Sequence, residues 1–342
     1  MVYRIGDVAK RAGVSKSTVS RVLNRSALVD PETRRRVLEA AQKLDYYRSA
    51  SALQLARGGQ SDFFGLLISD VENPVFPEMI KGFEMAAAAK GYNIFLCTSD
   101  YRIERANAAV RKMIENGVRG VAIMTSSLHE EVTIPLASRD IAVVMVDLEK
   151  PQRNVSSLAI DYQSGVTEAA QHLAKLGHKK VTFISGSADR RSARRYREAV
   201  IVALDRSKLE LQQIVECDQT LEGGHEAISE LATAAPPPTA LVCVNDLAAI
   251  GAISALHKFG LSVPGDVSVV GCEDIYPARF VTPALTTIRF DRKSLGRMAF
   301  ETLERFSDTQ SRQGIKVPIA THLMVRASTA AWNPHPTVWQ RE

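Results

Sequence analysis

The chain has 342 residues, which is enough for two or three domains of about 100–200 residues each. With 45% hydrophobic and 24% charged residues, its composition indicates large buried cores and excludes a disordered chain or a coiled-coil fibre. The net charge of +5 is uneven: residues 1–60 hold 12 Lys/Arg against 5 Asp/Glu, whereas the remainder holds 31 against 33. This balance favours a small polyanion-binding module joined to a nearly neutral body, although a solvated basic face would give the same charge.

Three short amphipathic helices are predicted at the start of the chain. Apolar residues at positions 5, 8, 9 and 12 form one helical stripe, which Gly13 ends by a left-handed turn. Ser15 is expected to cap a second helix that runs to about Asn24. Asp30 and Pro31 open a third helix, with its apolar face reaching position 44. Together these helices can enclose one small core.

From position 63 onward the chain alternates between apolar strands and amphipathic helices, after a predicted small-residue helix and glycine linker at 48–60. The predicted strands are 63–69, 93–99, 118–124, 141–147, 156–161, 179–186, 213–217, 239–245 and 267–272. The predicted helices include 75–90, 104–116, 162–176, 193–208, 222–234 and 246–258. Such alternation is typical of parallel sheets covered on both faces, and nine strands favour two similar α/β lobes.

The most informative motif is the pair of short helices joined by a glycine turn at 5–24. This arrangement is a helix-turn-helix, which places its second helix in the major groove of DNA. A generic helical pair would explain the apolar stripe but not the basic, hydroxyl-rich outer face. That face presents Lys16, Ser17, Thr18, Ser20 and Arg21. Lys and Arg suit guanine edges, and Ser and Thr suit any base or a nearby phosphate.

At these residues the chain closely resembles the LacI/GalR family of bacterial transcription repressors. The runs that carry the resemblance are IGDVAKRAGVSKSTVSRVLN (5–24), VDPETRRRVLEAAQKLDYY (29–47), GLLISDVENPVFPEMIKGFE (65–84), VNDLAAIGAISALHKFGLSVPGDVSVVGCED (244–274) and TPALTTIRFDRKSLG (282–296). They extend over nearly the whole chain, in the order found in the family. The opening run is highly specific, and the later ones are individually weaker.

The resemblance implies an α/β fold with an N-terminal helix-turn-helix headpiece, a hinge helix and a two-lobed body like that of periplasmic binding proteins. The body has two doubly wound parallel sheets. The implied segments are headpiece 1–47, hinge and linker 48–61, lobes of about 62–160 plus 292–320 and 161–291 plus 321–330, and tail 331–342. Family members are homodimers, some of them tetramers, on pseudo-palindromic double-stranded operators. The family also implies a cytoplasmic, nucleoid-associated protein with no membrane contact.

For DNA binding, we expect Lys16, Ser17 and Arg21 to read bases, with Thr18, Ser20 and Asn24 near the backbone. By its match to the family hinge, Leu55 is expected to insert between base pairs and bend the duplex from the minor groove. The hinge departs from the usual pattern, with Arg48 at a frequent proline position and Leu53 at a frequent arginine position. Arg57 could supply the missing basic contact. A purely packing role for Leu55 is the alternative.

For the effector, the resemblance implies a small polar molecule between the lobes, a sugar or a sugar acid. The matching positions are Asp70, Asn73, Phe76, Asp147, Ser192, Arg194, Tyr196, Asn245 and Glu273. Most of them follow the carboxyl ends of strands, where open α/β sheets bind ligands. Glu273 stands at a usual aspartate and Tyr196 at a usual arginine, while five arginines surround position 196. We therefore favour an anionic effector over a neutral sugar.

Two other functions are weaker interpretations. An enzyme would need a catalytic motif, yet the chain has no G-x-G-x-x-G, P-loop, G-x-S-x-G or H-E-x-x-H sequence. Seven scattered histidines and four distant cysteines form no metal-ligand spacing, so we predict no catalytic residue, no metal and no cofactor. A solute-binding protein without DNA contact would have no use for residues 1–60. Whether effector releases or tightens DNA binding stays open, because linkage requires only that the coupling be reciprocal.

Overall fold

The structure is a computed structural model, and it describes residues 5–23, 28–44, 46, 61–125, 130–188, 190–234, 237–308 and 312–333. The chain divides into two compact units, Met1–Ser61 and Asp62–Glu342. Each unit has its own core, and each is considered by itself below. Asn24, Leu55 and Arg57 lie outside the described residues.

The first unit contains the three predicted helices, α1 (Ile5–Ala12), α2 (Lys16–Leu23) and α3 (Pro31–Lys43). Val8, Val19 and Val37, one from each helix, are fully buried at its centre. The predicted signals at the helix ends are confirmed. Gly13 has φ +66°, and the Ser15 hydroxyl accepts the Thr18 amide proton at 3.1 Å.

The α3 helix is capped as the sequence predicts, and it also holds α1 in place. The Asp30 carboxylate accepts from the Thr33 amide at 2.9 Å, which gives one free amide of the first turn a partner. This hydrogen bond lowers the pKa of Asp30. Arg36 then donates to the Ala12 carbonyl at 3.0 Å, so that the end of α1 is tied to α3.

The second unit is built from twelve strands and eight helices among the residues that the structure describes. The strands are β1 (Phe63–Ile68), β2 (Asn93–Thr98), β3 (Gly120–Ile123), β4 (Ala142–Val146), β5 (Val155–Ile160), β6 (Lys180–Ser185), β7 (Glu210–Glu216), β8 (Ala240–Cys243), β9 (Ser268–Cys272), β10 (Thr286–Arg289), β11 (Lys316–Ile319) and β12 (His322–Met324). The helices are α4 (Phe76–Ala89), α5 (Ile103–Glu115), α6 (Ile134–Ala137), α7 (Tyr162–Lys175), α8 (Arg191–Arg206), α9 (Leu221–Ala234), α10 (Asp246–Lys258) and α11 (Arg292–Asp308). Two 3-10 turns lie at Glu130–Thr133 and Tyr276–Arg279.

The strands form two six-stranded sheets, one in each lobe. The first has the order β11-β5-β4-β3-β1-β2 and the second β12-β10-β9-β8-β6-β7. Every pairing is parallel except that of β10 with β12. The chain passes between the lobes after β5, between β10 and α11, and between β11 and β12. This confirms the predicted α/β, two-lobed fold with parallel sheets.

The nine predicted strands are present, but β10, β11 and β12 were not among them, nor was α11 among the predicted helices. β10, β11 and β12 have only three or four residues each, and they depend on partners distant in sequence. α11 packs on α4 at very close range. A Cβ on Gly82 would lie 2.0 Å from the Lys293 carbonyl oxygen, and one on Gly296 would lie 2.0 Å from that of Met79.

Aromatic side chains mark the centre of each lobe. In the first lobe Phe64 and Phe83 pack edge-on against Phe300, at ring distances of 5.2 and 5.7 Å. In the second, Tyr196 is 1% exposed and packs against Phe183. No helix among the described residues is long and apolar enough to cross a membrane.

Candidate functional site

The first candidate site is the outer face of α2 in the helix-turn-helix. Val19 and Val22 point into the core, which leaves the opposite face of the helix free. Lys16, Ser17 and Arg21 are exposed, and Thr18 and Ser20 are half-buried. The structure therefore places all five described candidates on α2, a helix that is held in place by its buried valines.

Ser15 organises the hydroxyl groups at the start of α2. Its Oγ lies 2.7 Å from the Ser17 hydroxyl and 2.8 Å from the Thr18 hydroxyl, besides capping the Thr18 amide. A helix N-terminus with free amides and nearby hydroxyls is suited to phosphate oxygens. The stem of Lys16 lies over Gly6 of α1, where a Cβ would stand 3.2 Å from Lys16 Cε.

The second candidate site is a cavity between the two lobes, with a volume of about 110 Å³. This is room for several water molecules or one small ligand. Both lobes contribute polar lining residues, which are Ser69, Asn73, Tyr101, Thr125, Tyr162, Arg190, Ser192, Tyr196, Gln219 and Glu273. The apolar part of the lining includes Phe76, Met79, Met124, Val146, Val244 and Phe290. Most of these residues follow strand ends or begin helices, as the sequence rule for open α/β sheets predicts.

Five of the nine predicted effector residues line this cavity: Asn73, Phe76, Ser192, Tyr196 and Glu273. The other four, Asp70, Asp147, Arg194 and Asn245, are not part of the lining. Asp70 binds the Glu72 amide of its own loop at 2.9 Å. Arg194 is exposed on the outer side of α8.

Asp147 is withdrawn from the cavity by its own partners. It has no exposed surface, and it accepts from the Ile160 amide at 3.0 Å and from the Tyr162 hydroxyl at 2.9 Å. Arg195 of α8 completes the set with an ion pair. Burial raises the pKa of Asp147, and the Arg195 charge opposes that shift. The carboxylate therefore joins the lobes at their hinge, and its burial keeps it out of the cavity lining.

Asn245 is occupied in a different way. Its Oδ1 accepts from the Ala248 amide at 2.9 Å and so caps α10, while its Nδ2 donates to the Gln219 carbonyl at 3.0 Å. At 2% exposure the amide is fully used in local structure. Asn245 is therefore a helix cap in this structure and not part of the cavity lining.

The cavity wall contains buried polar atoms that have no hydrogen-bond partner in the described parts of the chain. They are Tyr196 Oη, Gln219 Nε2 and Glu273 Oε2. A buried polar group without a partner is costly, by about 1–3 kcal/mol each. Three such atoms around one cavity are groups to which a polar ligand that enters it can hydrogen-bond.

Glu273 has the most strongly perturbed carboxyl in the cavity. Burial, with the neighbouring Asp246 carboxyl, raises the pKa of Glu273 to about 8, against an opposing effect of Arg292. The side chain is therefore mostly protonated at neutral pH and can both donate and accept a hydrogen bond. Its backbone has φ +106°, a conformation that favours glycine and is stored strain in a glutamate.

Arg190, rather than Arg194, is the guanidinium that reaches the cavity. It stacks on the Tyr101 ring with 4.6 Å between Cζ and the ring centroid. Among the described carboxylates, none forms an ion pair with it. Two arginines of α8 form ion pairs away from the cavity, Arg195 with Asp147 and Arg197 with Glu216 at 3.0 Å.

Sequence reasoning did not select Tyr101 and Gln219 as effector residues, and it included Arg190 only in the arginine cluster around position 196, with Arg194 chosen as the effector residue. Tyr101 follows β2 and Gln219 follows β7, so the strand-end rule could have found both had it been applied to every strand. Nothing in the sequence decides which arginine of α8 faces inward.

Comparison with known proteins places both sites in one family. Residues 4–49 match the model of bacterial regulatory proteins of the lacI family, and residues 170–329 match the periplasmic binding protein-like domain. The transcriptional repressor PurR of Haemophilus influenzae strain PittEE is 34% identical over 95% of this chain and 98% of its own. The Proteus mirabilis PurR is 34% identical over 87% of this chain and 89% of its own.

Solved structures agree with these sequence matches. The Lac repressor dimer bound to operator and the anti-inducer ONPF is 26% identical, with a TM-score of 0.85 over 97% of this chain and 100% of that one. The regulator CelR in complex with cellobiose is 27% identical, with a TM-score of 0.71 over 95% and 99% of the two chains. The chain belongs to the lacI family of bacterial regulatory proteins, and it is a DNA-binding transcriptional repressor and not an enzyme.

Proposed function

We propose that this repressor reads a pseudo-palindromic operator through α2, as a homodimer, and that a small organic acid in the interlobe cavity controls its DNA affinity. The observation that carries the effector proposal is the cavity itself. Its wall contains three buried polar atoms that have no hydrogen-bond partner within the described structure. It also contains Arg190, which forms no ion pair with any described carboxylate.

For DNA recognition, we assign base contacts to Lys16, Ser17 and Arg21 and backbone contacts to Thr18 and Ser20. The exposure of Lys16 and Arg21 on a helix anchored by Val19 supports this assignment. The same proposal gives Asn24 a backbone contact.

The test is fluorescence anisotropy on a duplex selected from a random library by the full chain. Arg21→Ala or Lys16→Ala should cost about 1–3 kcal/mol and relax specificity at one base position. Arg35→Ala is the matched control, because Arg35 is exposed and pairs with Glu32 and Glu39 of α3. Unchanged binding by both α2 variants would refute the assignment.

The hinge contacts remain proposals from the family match. Leu55 is proposed to bend the duplex from the minor groove, with Arg57 beside it. Leu55→Ala should remove the bend in a circular-permutation gel, and normal bending would exclude the insertion.

For assembly, support comes from the Lac repressor structure, which is that of a dimer bound to operator. A homodimer matches the two half-sites of a pseudo-palindrome by symmetry. Sedimentation analysis of the full chain distinguishes a dimer from a tetramer. As a bacterial DNA-binding repressor the protein works in the cytoplasm, and we propose association with the nucleoid, which fluorescence microscopy would test.

For effector chemistry, an acid is favoured because Arg190 is the charged group of the cavity when Glu273 is protonated. A guanidinium binds a carboxylate or a phosphate through two parallel hydrogen bonds. The protonated Glu273 carboxyl can donate to a second oxygen of the ligand without charge repulsion. In this proposal Arg190, and not Arg194 as the sequence predicted, binds the acidic group of the effector.

A neutral sugar is the second candidate, because CelR is described with bound cellobiose. Calorimetry with glucose, gluconate and glucose 6-phosphate separates the two candidates. Binding of an acid should weaken at least about ten-fold in Arg190→Met, since a hydrogen bond to a charged group is worth about 1.5–3 kcal/mol. Arg194→Met should leave it unchanged. Tight binding of glucose that is insensitive to Arg190→Met would refute the acid.

A further inference from the structure

Arg292 is a buried cation at the junction of the two lobes. It is the first residue of α11, immediately after the crossover from β10, and it is only 4% exposed. Burying a guanidinium is costly unless it is paired and hydrogen-bonded. Its partners therefore indicate what holds this junction together.

Those partners come from both lobes. Nη1 donates to the main-chain carbonyl of Glu273, which follows β9 in the second lobe. Nη2 forms an ion pair at 3.0 Å with Glu78 Oε2, on α4 in the first lobe. Because a guanidinium is a planar fork of several donors, it can hold two acceptors in a fixed relative position, which an ammonium group cannot do.

The Glu273 backbone depends on such contacts. Its φ of +106° is a strained conformation, and strain of about 1–3 kcal/mol persists only where the surroundings impose it. The Glu273 amide donates to the Ile288 carbonyl at 2.7 Å, and Arg292 holds the carbonyl on the other side of the residue. The same residue carries its carboxyl into the interlobe cavity.

On the first-lobe side, α4 and α11 are packed with their backbones in direct contact. A side chain at Gly82 or Gly296 would collide with the backbone of the opposite helix, as the 2.0 Å approaches show. Phe76 and Met79 of α4 also line the cavity. A shift of Arg292 therefore acts directly on a helix that forms the cavity's other wall.

We propose that Arg292 is a positioning residue that couples the effector cavity, through the Glu273 backbone, to α4 of the first lobe. Through this coupling, a ligand that binds the Glu273 carboxyl would change the relative arrangement of the two lobes. That consequence rests on the proposed effector cavity, whereas the coupling itself can be measured on the protein alone.

The experiment is hydrogen–deuterium exchange of the full chain without added ligand. Glu78→Gln changes only the first-lobe end of the connection, at a half-exposed side chain that should not affect folding. We expect amides in peptides covering 270–276 of the second lobe to exchange at least about five-fold faster. Glu301→Gln, which breaks an exposed ion pair with Arg297 on the same α11, is the control and should change nothing at 270–276. Unchanged exchange there in Glu78→Gln would overturn the proposal.

Two substitutions of Arg292 test the forked geometry. Arg292→Met and Arg292→Lys should both speed exchange at 270–276, because Met has no donor and the rotatable donors of an ammonium group do not fix two acceptors in one relative position. Wild-type exchange rates in Arg292→Lys would overturn the two-acceptor role.

Glu78→Gln should also change the affinity for the selected duplex at least about three-fold, whereas Glu301→Gln should leave that affinity unchanged. Equal affinity of Glu78→Gln and wild type would contradict the coupling to DNA binding. If exchange responds but no acid or sugar binds, the effector proposal fails and the coupling stands.

Discussion

Replacing Glu273 by Gln should make the stability of the second unit less dependent on pH. In the unfolded chain the carboxyl has its ordinary pKa of 4.5, whereas burial and the Asp246 carboxyl raise it to about 8 in the folded protein. Below pH 4.5 the group is protonated in both states. As pH rises towards 8 the unfolded chain releases the proton and the folded chain retains it, so wild-type stability falls.

The size of the effect follows from the pKa difference. The interval from 4.5 to about 8, multiplied by 1.36 kcal/mol, corresponds to about 5 kcal/mol. Water that enters the cavity would lower this free energy. We therefore expect the free energy of unfolding of the wild type to fall by about 2 kcal/mol or more over this pH interval. Because Gln has the shape of the protonated acid and cannot ionise, the advantage of Glu273→Gln should be near zero at pH 4.5 and reach its maximum above pH 8.

Urea unfolding followed by circular dichroism at pH 5 and pH 8.5 measures this difference. Glu301→Gln is the control, since its carboxylate is half-exposed and belongs to a surface ion pair. If the free energies of unfolding of Glu273→Gln and wild type differ by the same amount at both pH values, Glu273 ionises normally and the reasoning is wrong.

Three further substitutions test separate parts of the structure. Ser15→Ala removes the cap of α2 and should cost about 1 kcal/mol in the thermal unfolding of the first unit, with weaker operator binding. Gly82→Ala puts a Cβ 2.0 Å from the Lys293 carbonyl oxygen and should destabilise the second unit by about 1–3 kcal/mol in urea. Tyr162→Phe removes a donor to the buried Asp147 carboxylate and should cost about 1–3 kcal/mol in the same assay.

Each of these variants has a matched control. For thermal stability alone, Ser17→Ala is the control for Ser15→Ala, because it removes a hydroxyl that contacts Ser15 but does not cap the helix. Glu84→Ala alters an exposed side chain of the same α4, and Tyr276→Phe removes the hydroxyl of a tyrosine that is 67% exposed. Equal stability losses in a variant and its control would contradict the corresponding argument.

Local signals in the sequence were sufficient for the three described helices of the first unit and for most of the second unit. Gly13, Ser15 and Asp30 act on backbone groups within three or four residues of themselves, so their roles can be predicted without knowing the tertiary structure. Most of the nine predicted strands are likewise predictable, because a strand buried on both faces is an apolar run of its own. The family resemblance, supported by the strand-end rule, also selected Phe76 and Glu273, which line the cavity.

Only the tertiary structure decided the rest. β10, β11 and β12 are short and gain their order from pairing with distant strands, such as Lys316 of β11 opposite Ser157 of β5. The partner that occupies Asp147 is Arg195, 48 residues away in sequence. The rotation of α8 about its axis, fixed by the burial of Ala193, Tyr196 and Val200, turns Arg194 outward and Arg195 towards Asp147. Side-chain chemistry could be read from the sequence, but which groups meet at the cavity depends on the packing of elements far apart in the chain.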